Sequence, residues 1–352
     1  MAPEVKRIIS QVCGMRGVVS SKNEDRLVEI LMAVYNGEKY IGEQIDSILS
    51  QTYQNWFLVI RDDGSTDETV DIIGHYIRQH PQKIKLISGN GNHIGSSMSF
   101  SRLLEHSEAV CIMLCDQDDV WLPDKINLSL QKLRELEEKY GNQRPLLVFT
   151  DLVVVDSGLN VIHDSFWDYQ RINPDRTAAN QLIVENVVTG CTMMMNAALR
   201  RIVRAIHPNA IMHDQWIALV CSVFGAMDYV KTPTVLYRQH GVNQLGARRW
   251  NIIRMLKEPD YFHAGIRRMR DLLAEKQVQA AAFYETYKDS VTEEKKAVLD
   301  FIRDYSQLSK KNFFQRISFL ARNKCFCNHI LKTCGVFSQY LINVNDCIRT
   351  LK

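Results

Sequence analysis

Residues 110–121 read Val-Cys-Ile-Met-Leu-Cys-Asp-Gln-Asp-Asp-Val-Trp, from Val110 to Trp121. The apolar run to Cys115 reads as a buried strand, and Asp116, Asp118 and Asp119 follow it at once. Ligand sites in open α/β sheets lie outside the carboxyl ends of the strands. Acids crowded there repel one another unless a cation joins them. Oxygen ligands suit a hard divalent ion, Mg²⁺ or Mn²⁺, of the kind that carries a phosphate-bearing substrate. The plainer alternative is a solvated acidic loop capping the helix after Pro123.

Outward from this stretch, strand-like and helix-like segments alternate between Val28 and Asp151. Val28–Val34, Trp56–Asp62, Ile84–Ser88, Val110–Cys115 and Leu146–Asp151 read as strands. Tyr40–Ser50, Thr69–His80, Ile94–His106 and Asp124–Tyr140 read as helices. Such alternation predicts parallel βαβ units in a layered α/β sheet. Beyond Asp151 the rhythm loosens, with strands expected at Cys191–Asn196 and Val235–Arg238 and a helix at Asp214–Phe224. From about Trp250 the pattern is helical, over Arg267–Tyr287, Thr292–Ser306 and Phe313–Thr350. The expected organisation is an N-terminal extension over 1–26, a catalytic α/β domain over 27–249, and a helical region over 250–352.

Composition narrows the class. Apolar residues make up 46% and charged residues 24% of the 352-residue chain, as in a soluble globular protein of one large domain or two ordinary ones. A net charge of +3 is too small to point to nucleic acid. No apolar run reaches the roughly 18 residues of a membrane span. The stretch Met1–Arg26 lacks the apolar core and cleavage site of a secretory signal. Nine cysteines, several inside apparent core strands, argue for reduced thiols and a cytoplasmic location.

Two more strand ends carry polar turns. Ala33-Val34-Tyr35-Asn36-Gly37-Glu38 follows the first strand, and Arg61-Asp62-Asp63-Gly64-Ser65-Thr66-Asp67-Glu68 follows the second. Asp62 and Asp63 reach the same sheet edge as Asp116 and Asp118, where acids can accept hydrogen bonds from a base or a ribose. Ser65, Thr66 or Asp67 could equally be no more than a helix cap.

Taken together, Ala-Val-Tyr-Asn-Gly from Ala33, Asp-Asp-Gly-Ser-Thr-Asp from Asp62 and Asp-Gln-Asp-Asp-Val-Trp from Asp116 resemble the family 2 glycosyltransferases over roughly residues 27 to 245. The resemblance implies the GT-A fold, a Rossmann-like α/β sheet, here with a helical C-terminal extension. It implies that Val34, Tyr35, Glu38, Asp62, Asp63 and Gln117 serve the nucleotide. Asp116 would face the ribose or the metal, and Asp118 would ligate Mn²⁺ or Mg²⁺. His213-Asp214-Gln215-Trp216 looks like the motif from which inverting members take their base, which makes Asp214 the catalytic residue. A carboxylate at a helix start can take the proton of an attacking hydroxyl, although Asp214 could also simply cap that helix. In Tyr237-Arg238-Gln239-His240, followed by Gly241 and Asn243, His240 would complete the metal shell, a role open to neutral imidazole, and Arg238 would meet a phosphate. Gly190, His213 and Trp216 would shape the acceptor side. His93-Ile94-Gly95 departs from the Asn-x-Gly common in that loop.

The same grouping looks like the bacterial rhamnosyltransferase branch. That implies a dTDP-rhamnose donor, a glycan or polyprenyl-linked acceptor, and surface-polysaccharide synthesis at the inner face of the cell membrane. Residues 303 to 352 mix Lys and Arg with Phe313, Phe314, Ile317, Phe319, Leu320, Phe326 and Phe337. A basic amphipathic helix of this kind suits peripheral contact with an anionic membrane, or oligomerisation. Cys325, Cys327, His329 and Cys334 do not have zinc-site spacing, since one residue separates the first two cysteines where structural sites typically place two to four. Gly89, Gly91 and Gly95 miss the dinucleotide fingerprint by one place. Three rival readings remain: a family 2 glycosyltransferase using another nucleotide-sugar of the UDP-hexose type, a sugar nucleotidyltransferase, which lacks its glycine- and arginine-rich turn here, and a non-catalytic glycan- or nucleotide-binding subunit of the same fold.

Overall fold

A computed structural model describes residues 26–88, 92–240 and 259–327. The N-terminal extension up to residue 25, Gly89, Gly91, Gly241, Asn243, Trp250, His329, Cys334 and the tail after Cys327 lie outside the described residues. Those described fall into two compact units. The first runs to Gln170 and adds Val188–Ile206 and the segment from Met212. The second combines Arg171–Val187, His207–Ile211 and the C-terminal helices.

The first unit is built on β1 (Val28–Val34), β2 (Trp56–Asp62), β3 (Ile84–Ser88) and β4 (Cys111–Cys115), connected by α1 (Ile41–Leu49), α2 (Thr69–Gln79) and α3 (Ser96–His106). All four strands are parallel, in the order β3-β2-β1-β4. Their core positions, such as Ile30, Met32, Leu58, Ile60 and Met113, are fully buried. That is why they read as near-continuous apolar runs: a parallel sheet is covered by helices on both faces. Parallel register also brings Val34, Asp62 and Cys115 to one edge, where the polar turns begin.

Beyond β4 the sheet becomes mixed. β5 (Val120–Trp121) leads into α4 (Lys125–Tyr140), and then come β6 (Leu146–Val155), β7 (Val161–His163), α5 (Phe166–Gln170) and α6 (Ala179–Leu182). After a 3₁₀ turn at Gly190–Thr192 follow β8 (Met194–Asn196), α7 (Ala197–Val203), α8 (His213–Phe224) and β9 (Ala226–Arg238). The order continues β4-β8-β6-β9-β5, with β7 on β6. β8 runs antiparallel to both neighbours, and β9 runs parallel to β6. Arg238 therefore ends on the same edge as Cys115. The second unit is helical: α9 (Pro259–Tyr287), α10 (Glu293–Ser306) and α11 (Phe313–Arg322), with Phe283, Leu299, Ile302, Tyr305 and Leu320 buried.

Several elements differ from expectation. Cys191 lies in a turn, not a strand, because Thr192 and Met193 donate back to the Thr189 and Gly190 carbonyls. Only Met194–Asn196 pairs. The strand expected at Val235–Arg238 begins at Ala226, with register shifts around Asp151 where Pro233 sits opposite. A proline cannot donate to the ladder and is tolerated at such irregularities. The helix expected over Phe313–Thr350 stops at Arg322, capped at Asn323, and Lys324 takes a left-handed backbone (φ 51°).

The β6–β9 pairing starts where Gly225 meets Pro145: a Cβ on Gly225 would lie 1.9 Å from the Pro145 carbonyl oxygen. Backbone cannot yield as a side-chain tip does. Gly225→Ala is expected to cost about 1–3 kcal/mol or more, lowering the melting temperature in calorimetry. The site is far enough from this contact that function at a permissive temperature should stay near normal.

Candidate active site

The two polar turns after β1 and β2 are locked to each other. Asn36 turns the chain with φ 47°, its N–H donates to Ser65 Oγ at 2.9 Å, and its Oδ1 accepts from Thr66 N–H at 2.9 Å. Gly37 N–H donates to Thr69 Oγ1 at 2.7 Å, Glu38 N–H to Asp67, and Glu68 N–H to the Glu38 carboxylate at 2.9 Å. Glu38 is thus spent on the neighbouring loop. Burial raises the Asp67 pKa, but hydrogen bonds from Thr69 and Glu38 outweigh this and hold it below the usual carboxylate value. Asp62 accepts from the N–H groups of Gly64 and Ser65.

Asp63 is buried and fully engaged. It pairs with Arg61 at 2.7 Å and with His93 at 3.0 Å, and it accepts from Ile94 and Gly95 N–H. Its carboxylate anchors the loop entering α3. The Val34 side chain is in the core, and its carbonyl accepts from Asp63 N–H. Tyr35, 41% exposed, lies with its ring 4.0 Å from the His93 ring. Gln117 pairs with the Tyr35 backbone in both senses, Oε1 accepting at 2.8 Å and Nε2 donating at 3.0 Å. Gly37 allows this, since a Cβ there would sit 2.6 Å from Gln117 Oε1.

The acids after β4 carry the strongest electrostatic strain. Burial, then the charges of Asp118 and Asp214, raise the Asp116 pKa to about 7. Burial, with Asp118 and Asp116, raises that of Asp119 well above the ordinary value. One Asp119 oxygen accepts from Arg238 N–H at 3.0 Å, and the other has no hydrogen-bond partner among the described residues. Beneath lies Lys125, fully buried, its ammonium 4.7 Å from the Trp121 ring centroid. Burial lowers its pKa to about 8 against the opposing influence of Cys191, Cys115 and Asp119.

The donor chemistry fits a hard divalent cation. Among the described residues, Asp116, Asp119 and Cys191 bring ligand atoms within 4.8 Å of one another. The Cys191 thiol, however, is pushed far up by burial and by the charges of Asp119 and Asp116. A protonated thiol is a poor ligand for Mg²⁺ or Mn²⁺. Asp118 instead lies 2.7 Å from His240 Nε2. The Asp118–His240 pair supplies one oxygen and one imidazole donor of the kinds such ions accept.

Across from the acids, α8 begins at His213, whose N–H donates to Ser97 Oγ at 3.0 Å. Asp214, half-buried in the first turn, accepts from Gln215 N–H at 2.6 Å and from Gly190 N–H. Burial raises its pKa to about 6 against these bonds. The His213 ring packs 4.1 Å from Phe100, and burial lowers its pKa to about 3, so it is neutral. Trp216 is wholly buried and supports α8 from the core. Arg238 is 2% exposed and tied to protein groups on every side. Sequence reasoning passed over Tyr40, Glu43 and Lys125, which carry no motif and acquire their places only through packing.

Residues 29–203 match the family model described as glycosyl transferase family 2. RfbG of Shigella flexneri, a dTDP-rhamnosyl transferase, is 30% identical over 233 residues, 61% of this chain and 74% of RfbG. The chain belongs to glycosyl transferase family 2. Another relative of this family 2 protein is WfgD of Escherichia coli, a UDP-Glc:α-D-GlcNAc-diphosphoundecaprenol β-1,3-glucosyltransferase, 31% identical over 121 residues, 34% of this chain and 46% of WfgD. The chain spans about half the length of several curated relatives it matches. In fold it is similar to the mannosyltransferase PcManGT of Pyrobaculum calidifontis in complex with GDP-Man and Mn²⁺. The TM-score is 0.51 at 15% identity, covering 90% of this chain and 80% of that one. The GT-A architecture follows.

Gly190 is a second tight point of the site: a Cβ there would lie 2.6 Å from His213 Nε2 and 3.6 Å from the Asp214 Cβ. Gly190→Ala should push the His213 ring aside and, through that ring at the start of α8, disturb Asp214, whose own Cβ would be in ordinary contact. A misplacement near 1 Å can cost about 10²-fold in rate, so steady-state kinetics should show a kcat loss of that order, with nucleotide affinity from calorimetry little changed.

Proposed function

We propose that this protein is an inverting, divalent-cation-dependent glycosyltransferase that moves L-rhamnose from dTDP-rhamnose to a glycan or polyprenyl-linked acceptor in bacterial surface-polysaccharide synthesis. The observation carrying this reading is a half-buried carboxylate, Asp214, whose charge is felt by Asp116 at the edge where β1, β2 and β4 end. Tyr35, Asp62 and the β1 and β2 turns receive the nucleotide. Asp116, Asp118 and His240 hold Mn²⁺ or Mg²⁺, which when bound neutralises charge on the departing diphosphate.

Asp214 takes the proton of the acceptor hydroxyl as that oxygen bonds to the anomeric carbon. The bond from that carbon to the diphosphate oxygen breaks, and the diphosphate leaves with the electron pair from the opposite face. One base and no second carboxylate nucleophile is the arrangement that inverts a glycosidic centre, with an acceptor hydroxyl in place of the water of inverting hydrolases. Neutral His213 adds no competing charge beside Asp214.

The donor assignment is supported by the likeness to RfbG. A thermal-shift and turnover screen of nucleotide-sugars with Mn²⁺ checks it. Stabilisation and transfer with dTDP-rhamnose are expected, and preference for UDP-glucose would defeat the rhamnose assignment. Asp118→Asn is expected to abolish metal-dependent donor binding. Asp214→Asn should keep that binding and lose about 10²–10⁴ in kcat. Near-normal turnover in Asp214→Asn would remove Asp214 as the base.

A base must be unprotonated to act. Because the Asp214 pKa is raised to about 6, kcat is expected to be level above that pH and to fall about tenfold per unit below it. An Asp214→Glu variant should shift the break point in the pH profile. An unmoved break would assign it to another group.

The helical unit supports cytoplasmic, peripheral membrane attachment in this reading. Among the described residues, no helix is long and apolar enough to cross a membrane. Phe314 is 80% exposed beside Phe313, after Lys310 and Lys311, with Arg322, Lys324 and Phe326 following. Residues 305 to 327 contain no Asp or Glu. Exposed aromatics amid basic residues suit an anionic lipid surface. Flotation with phosphatidylglycerol vesicles is expected for the full chain and should be lost in Phe313→Ser/Phe314→Ser. Equal flotation of both would end the idea.

A further inference from the structure

Arg238 sits at the end of β9 with its guanidinium committed to the protein. Nε donates to the Asp118 carbonyl at 2.8 Å and Nη1 to the Ser157 carbonyl at 2.8 Å, while Nη2 meets the Glu43 carboxylate. Its own backbone N–H donates to Asp119, whose carboxylate is wholly buried. The guanidinium lies 4.5 Å from the Tyr40 ring centroid, and the same ring lies 5.0 Å from the imidazole of His240. His240 in turn reaches Asp118 at 2.7 Å. The ladder extends the link, with Val120 opposite Leu236 and Trp121 opposite Val235.

The geometry points to Arg238 as a positioning residue: with Asp119, Tyr40 and Glu43 it locks the Asp118 loop to the His240 segment so that both present their ligand atoms to one point. This rests on the reading of Asp118 and His240 as cation ligands and gives Arg238 a role other than contact with a phosphate. The two ligands come from chain segments far apart in sequence, and without a cross-link each would have to be ordered on binding. A planar fork that serves several acceptors at fixed angles does this; an ammonium does not. Partners of this kind, one step behind the ligands, typically change metal affinity about 10–100-fold when altered.

Two measurements on the full-length protein test it. Mn²⁺ titration followed by electron paramagnetic resonance, without nucleotide, should show Kd raised about 10–100-fold in Arg238→Lys. A smaller shift in the same direction is expected in Glu43→Gln, where the altered side chain is itself exposed and the fold is not at risk. At saturating Mn²⁺ kcat should recover. The ¹⁵N imidazole resonances of His240 in metal-free protein should move in Arg238→Lys and Glu43→Gln as they do in Asp118→Asn. Unchanged His240 resonances in both variants would overturn the positioning role, whatever the metal does. Weakened metal-free dTDP binding with unchanged Mn²⁺ affinity would overturn it in favour of direct phosphate contact. Moved resonances in a protein that binds no Mn²⁺ would uphold the clamp and defeat the metal reading instead.

Discussion

Three carboxylates at the end of one buried strand repel each other, and the organisation of the catalytic unit follows from how that repulsion is managed. Asp119, the most buried, is given the Arg238 backbone N–H, with the Lys125 ammonium beneath. Asp118 is turned toward His240. Asp116 retains the strain, its carboxyl pushed up to about 7 by burial and by Asp118 and Asp214. A site left in this condition favours whatever brings positive charge, since a cation relieves the desolvated acids as well as binding its own ligands.

The side proposed to take the nucleotide and the side proposed to take the acceptor are built on different physics. Around Asn36, Glu38, Ser65 and Asp67 two loops exchange hydrogen bonds, mostly from backbone donors, so the turns are rigid before anything binds. Around Gly190 and Asp214 the device is steric: removing one Cβ lets a backbone N–H reach a carboxylate and a buried imidazole pack behind it. The first fixes position by saturation of donors, the second by close approach. Parallel strands explain why both face the same point, because their carboxyl ends share an edge.

Much of the fold was legible. β1 to β4 and their helices were readable because strands covered on both faces are uniformly apolar and their turns are polar. The first half of β9 was not, since Lys231, Thr232 and Pro233 interrupt it and only pairing with β6 makes it a strand. β5, two residues long, exists through Val235 and Leu236 alone. At the site, the acid triplet after β4 announced itself by residue type. The occupations of Glu38, Gln117, Asp63 and Arg238 did not, because a polar side chain in a motif looks the same whether it faces a ligand or a neighbouring loop.

The amino-acid sequence alone determined the family, the sheet of parallel units and the place of the acids, because these depend on local periodicity and on residue types at strand ends. Only the tertiary structure decided which acid is buried against Arg238, which is turned to His240, and that Gly190 brings its backbone against Asp214. Those outcomes depend on contacts between segments distant in the chain, and desolvation and hydrogen-bond geometry at such contacts have no signature in any one segment.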